Sequence, residues 1–182
     1  QLRNNPGLIL DEAILLMAQA HAMAENLDDA DEFLVELTRN DPTKILLAAA
    51  ELENIRIHVK QEKWTEAIAL YNKWLKDHAD HEQIPAVRLD RAWALVRSGQ
   101  VLGAASAYDE IINKHSGSFA AYAAKMWKAD RMFNLKADRL AAERLYEEIA
   151  GSTNTPVRLR QRAQMMSGRA AVARQGYDDA RK

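Results

Sequence analysis

Cysteine is absent from the 182 residues, which excludes disulfides and thiolate metal sites in this chain. Glycine and proline are scarce, seven and four residues, so the tight turns that a sheet protein needs every few residues are missing. No run of about 18 apolar residues occurs, which leaves no candidate membrane-spanning helix. The opening QLRNNPGLIL lacks the charged, apolar and cleavable zones of a signal peptide. The sequence starts without methionine and stops at YDDARK within a helical pattern, and is read as a piece of a longer or processed protein. An excess of charge is lacking too. The net charge of −1 gives no reason to expect nucleic acid.

What is present is a helix-forming composition of Ala, Leu, Glu, Arg and Lys with 48% apolar residues, which predicts an all-α protein. Charge is unevenly spread. Residues 1–130 carry 14 Lys/Arg against 20 Asp/Glu (−6), and residues 131–182 carry 11 against 6 (+5). This asymmetry suits head-to-tail contact or an acidic partner near the C-terminal half.

The stretch QEKWTEAIALYNKWL (61–75) recurs in altered form 37 residues away on either side, as AENLDDADEFLVEL and SGQVLGAASAYDEII. Aligned on the alanine, the register runs Ala30, Ala67, Ala104, Ala142 and Ala180, with spacings of 37, 37, 38 and 38. Four residues further stand Leu34, Tyr71, Tyr108 and Tyr146, and seven further Leu37, Trp74, Ile111 and Ile149. These offsets share one helical face. Three before the alanine are Leu27, Trp64, Val101, Arg139 and Tyr177, where Arg139 alone breaks the apolar rule. A small residue flanked by large ones lets two helices approach closely. A preceding helix keeps the same register: Leu15, Leu52, Leu89, Trp127 and Met165 lie fifteen before the alanine, and Ala18, Ile55, Ala92, Asp130 and Gly168 twelve before.

Each unit is therefore a helix pair, expected at 11–24 with 28–39, 44–60 with 64–77, 85–98 with 101–114, and 118–135 with 138–150, followed by a first helix at 156–174. The units span about 8–42, 43–84, 85–117, 118–155 and a partial 156–182. Breakers fall between them, at Pro42, Pro85, Gly117 and Pro156. Proline opening a helix loses no backbone bond, and Asp, Ser or Thr before it can cap free amides.

With small, aromatic and apolar positions as in GQVLGAASAY and QGYDDA, the units resemble tetratricopeptide repeats. The resemblance covers nearly the whole chain and implies a right-handed α-solenoid of such helix pairs forming one domain. The units exceed the family's usual 34 residues, and Ile55 and Asp130 replace its first-helix glycine. HSGSFAAYAAKMW and TPVRLRQRAQMM are similar to segments of envelope-associated repeat proteins of Gram-negative bacteria, which favours a periplasmic or membrane-associated location over a cytoplasmic one.

No phosphate-cradling glycine loop, nucleophile elbow or HExxH pair occurs, and no enzyme, cofactor or metal is expected. The nearest metal-like cluster is DHADHE, with His78 and His81, read as a solvated helix end. His21 and His58, 37 apart, are read as packing residues. Once the core columns are removed, offsets of −14, −11 and −7 leave one stripe on the first helices: Leu16, Gln19, Met23; Glu53, Arg56, Lys60; Asp90, Trp93, Arg97; Lys128, Arg131, Leu135; Met166, Arg169, Ala173. In the resembled family this side lines a concave groove. The expected partner-binding residues are Arg56, Lys60, Trp93, Arg97, Lys128, Arg131 and Arg169, suited to a peptide or protein segment bearing carboxylates, since guanidinium groups bond carboxylates in bidentate fashion. The other reading is a structural subunit of an envelope or membrane-associated complex, self-associating through its repeat ends or convex surface.

Overall fold

Helix formers interrupted at regular intervals fold as helices and little else. The structure, a computed structural model, describes residues 6–39, 43–136 and 138–179. Among the described residues there are nine helices and no strand: α1 (Pro6–Met23), α2 (Leu27–Arg39), α3 (Lys44–Lys60), α4 (Trp64–Asp77), α5 (Ile84–Arg97), α6 (Val101–Lys114), α7 (Phe119–Asn134), α8 (Arg139–Gly151) and α9 (Val157–Asp179). No described helix is long and apolar enough to cross a membrane. Helix starts follow local chemistry. Thr43, Ser118 and Asp138 cap α3, α7 and α8, accepting from the amides of Leu46, Ala121 and Ala141. Pro85 sits in the first turn of α5. Pro42 and Ala180, and the side chain of Tyr177, lie outside the described residues.

The chain divides into two compact units, Gln1–His81 and Glu82–Lys182. In the first, α1 packs on α2 and α3, and α3 on α2 and α4. Its core joins Ile14, Leu15, Ala18 and Ala22 of α1 to Leu34 and Leu37 of α2 and to Leu46, Ala50 and Ile57 of α3. In the second unit α7 is central, touching α5, α6, α8 and α9. Tyr122, Met126, Tyr146, Ile149, Ala163 and Ala170 make up much of its α7–α9 core. The alanines Ala30, Ala67, Ala104 and Ala142 are all fully buried, as close helix crossing demands. Two helices run beyond their expected bounds: α1 begins at Pro6, and α9 continues to Asp179, past the point where the earlier first helices turn.

The turns repeat as well. Apart from Gly117 between units, positive φ occurs at Glu25 (64°), Glu62 (57°), Gly99 (81°) and Lys136 (54°), each 37 residues after the last, just before a second helix. The alanine follows five residues later in the first three units and six later in the fourth, so the extra residue lies in that turn. A left-handed residue closes the first helix. In the third unit Gly99 fills that place, and its neighbours Ser98 and Gln100 donate backbone bonds to Ala94 and Leu95.

Candidate functional site

In the second unit the first helices α5, α7 and α9 are neighbours in sequence of contact, α5 on α7 and α7 on α9. Two of these helices each set an arginine over a tryptophan, although Trp93 lies on the polar stripe and Trp127 in a core column one turn away in register. On α5 the Arg97 guanidinium lies 5.7 Å from the Trp93 ring centroid, and on α7 that of Arg131 lies 5.7 Å from Trp127. Each pair is spaced four residues apart, which sets one side chain above the other on a helix, and each is within range of a cation–π attraction. Trp93 is 45% exposed, unusually open for a large aromatic.

Beside Arg131 the α6–α7 junction forms a half-open cavity of about 210 Å³ lined in part by Tyr108, Asp109, Trp127, Lys128, Arg131 and Leu135. Its walls are mainly apolar. Tyr108 and Trp127 stack at 4.3 Å between ring centroids, and burial pushes the Tyr108 hydroxyl up to about 12. That phenol stays neutral over the physiological range. Lys128 Nζ holds Asp109 Oδ1 at 2.6 Å, so one rim of the cavity is an ion pair and the other a cation on an aromatic face. On α9, Arg169 Nη1 lies 3.8 Å from Met166 Sδ.

The remaining stripe residues belong to the first unit. Arg56 pairs with Glu53 at 2.9 Å, and Lys60 Nζ donates to the carbonyl of Ala22 on α1. Of the seven expected binding residues, Arg56, Lys60 and Lys128 thus hold internal polar partners, and Trp93 and Arg97 also have further interactions within the protein. The −14 offset is not uniformly on the open side: Glu53 is 6% exposed and Met166 9%, both turned into packing. Conversely, the Tyr108–Trp127 stack forms a wall of the site although both residues sit in core columns. The signal was the Trp127–Arg131 spacing, identical to that of Trp93 and Arg97.

The histidines are held by ordinary neighbours. His78 Nε2 stands 2.6 Å from Glu51 Oε2, with its ring against Trp74 at 4.9 Å, and His81 lies 6.4 Å from it between centroids. Among the described residues no three His, Asp or Glu side chains gather as a metal site would require. His21 stacks near Phe33 at 5.2 Å with Asp29 at 3.2 Å, while His58 Nδ1 faces the Asn54 carbonyl at 3.0 Å. In comparisons with known proteins, no protein-family model and no curated sequence matches the chain.

Proposed function

We propose that this protein is a non-catalytic binding module: a right-handed α-solenoid of tetratricopeptide-like pairs whose first helices line a concave surface that receives a peptide or protein segment bearing carboxylates. The observation that carries the reading is the twofold occurrence of an arginine over a tryptophan, Arg97–Trp93 and Arg131–Trp127, the second beside an apolar cavity of about 210 Å³. Tryptophan and arginine are the residues that most often dominate binding energy. A guanidinium resting on an indole is already oriented, so little side-chain freedom is lost when a carboxylate approaches it. The cavity would take a branched or aromatic side chain next to that carboxylate, with Lys128 and Arg131 at its rim.

Selection from a displayed random-peptide library tests this. Enriched peptides are expected to combine an acidic residue or free carboxyl terminus with an aromatic or branched residue. The Arg97→Glu, Arg131→Glu double variant is expected to lose at least about tenfold in affinity for them, roughly 1.4 kcal/mol. Equal binding by the reversed variant would remove the cationic stripe from the site.

A further inference from the structure

The outer face of α1 is apolar and bare. Leu10, Ala13, Met17 and Ala20 are all exposed, Leu10 to 57% and Met17 to 46%. Their spacing is that of the second helices: a small residue with a large one three before, another four after and an apolar one seven after, as in Leu27, Ala30, Leu34 and Leu37. There Leu34 and Leu37 are 2% and 0% exposed, because they close onto a first helix. A helix apolar on two opposite faces is normally covered on both. By its sequence α1 is both the first helix of its own pair, through Ile14, Leu15, Ala18 and Ala22, and a second-helix surface on the opposite side.

At α9 the complementary face is left uncovered by the described residues. Met165 and Gly168 occupy the columns that second helices cover in the earlier pairs, where Leu15, Leu52, Ala18 and Ile55 are all buried. On α9 Met165 is 57% exposed, Val172 71%, and nothing lies within 4 Å of where a Gly168 Cβ would be. The other side of α9 is fully used, with Ala163, Met166 and Ala170 packed in the α7–α9 core. Phe133, Met165, Gly168, Val172 and Ala173 thus line an open apolar trough beside Arg169. Because α9 runs on as one helix to Asp179, no described residue of the chain folds back to fill it.

We infer that the trough on α9 receives α1 of a second copy, head to tail. The pattern on α1 is the one the slot on α9 accepts elsewhere in the same molecule, and Gly168 gives the close approach that an alanine-bearing helix needs. Charge agrees. The unit carrying α1 holds 8 Lys/Arg against 15 Asp/Glu (−7), and the unit carrying α9 holds 17 against 11 (+6). Opposite fields steer α1 of one copy toward α9 of the next and oppose like ends meeting. The contact is heterologous, so it generates a ring or an open chain of copies according to its rotation.

Two blocked proteins test this by light scattering and sedimentation over a concentration series. One carries Ala13→Arg and Met17→Glu, leaving α9 intact; the other carries Met165→Glu and Val172→Glu, leaving α1 intact. All four sites are exposed, and circular dichroism reports whether the helices persist; single substitutions Met17→Lys and Val172→Lys replace any pair that fails. The parent is expected to grow in mass with concentration, less so when salt is raised from about 50 to 500 mM. Each blocked protein is expected to remain monomeric, and an equimolar mixture of the two to form a dimer that grows no further. A parent that stays monomeric throughout overturns the inference, as does a mixture that fails to dimerise. Self-association of the α9-blocked protein alone also overturns it, since that would mean α1 pairs with α1.

Discussion

In Gln1–His81, α4 closes on α3 through Trp74, whose Nε1 donates to the backbone carbonyl of Ala48 at 2.9 Å. In Glu82–Lys182, α8 closes on α7 through Tyr146, whose hydroxyl donates to the Asp130 carboxylate at 2.7 Å. Both side chains are almost fully buried, and both need a partner for one polar group. The first unit's acceptor is a backbone carbonyl, which no residue type specifies, and Trp74 stands in the column of Ile149 rather than that of Tyr146. The second unit's acceptor is a side chain, Asp130, in the column where the first unit has Ile55, and a half-buried carboxylate needs its charge met. Arg162 of α9 supplies it at 2.6 Å from Oδ2. One departure from the repeat has thus become a junction of three helices. The bond to Asp130 adds to burial in holding the Tyr146 hydroxyl well above its usual range.

Breaking the first arrangement should have the largest effect. Trp74 is 1% exposed, and Trp74→Ala is expected to lose about 3–5 kcal/mol through the cavity it leaves. Hydrogen exchange read by mass spectrometry should show α3 and α4 losing protection while α7 to α9 keep theirs. Equal loss in both units would mean they do not open separately.

The second arrangement is tested by a cycle. Tyr146→Phe removes one donor and is expected to destabilise by about 1–2 kcal/mol, leaving Asp130 held by Arg162 alone. Asp130→Ala restores a small residue to the column but strands the buried hydroxyl. The double variant should lose less than the two singles together, by about 1 kcal/mol, in urea unfolding. Strict additivity would show that the bond is geometric only.

The alanine columns were legible because helix crossings impose a steric demand that few residues meet, and Ala30, Ala67, Ala104 and Ala142 are all fully buried. Asp130 and Arg139 look like violations in sequence because what satisfies them comes from elsewhere: Arg162 for the first, and for the second the carbonyl of Ala173, which accepts from Arg139 Nη1 at 2.7 Å. A carbonyl carries no residue signature. Glu143 similarly meets Arg174 of α9 at 3.0 Å, a pair 31 residues apart that periodicity does not predict. In the candidate site, the exposed positions of Trp93, Arg97 and Arg131 follow from offset alone. The orientation of Glu53 and Met166 does not, since a residue at the edge of a stripe turns inward or outward according to the bulk of its neighbours. The wall formed by Tyr108 and Trp127 was hidden for the opposite reason: both occupy core columns, and Tyr108 is itself buried.

The turn column was least legible, because Glu25, Glu62 and Lys136 share no chemistry with Gly99, only a left-handed backbone. It also gives the smallest test of the comparison between units. A side chain in that conformation costs roughly 1–2 kcal/mol, while glycine instead gives up more chain entropy on folding, roughly 0.5–1 kcal/mol. In the first unit Glu25→Gly relieves the former and incurs the latter, and is expected to stabilise by about 0.5 kcal/mol. In the second, Gly99→Ala reverses the exchange. Nothing lies within 4 Å of a Cβ added at Gly99, so no packing clash contributes and the loss of about 0.5–1 kcal/mol is backbone strain less the chain entropy regained. Thermal melts of the two variants should therefore move in opposite directions by similar amounts. A melt of Gly99→Ala that matches the parent would show that the turn relaxes out of its left-handed conformation, and that the 37-residue recurrence of positive φ does not constrain the pairs.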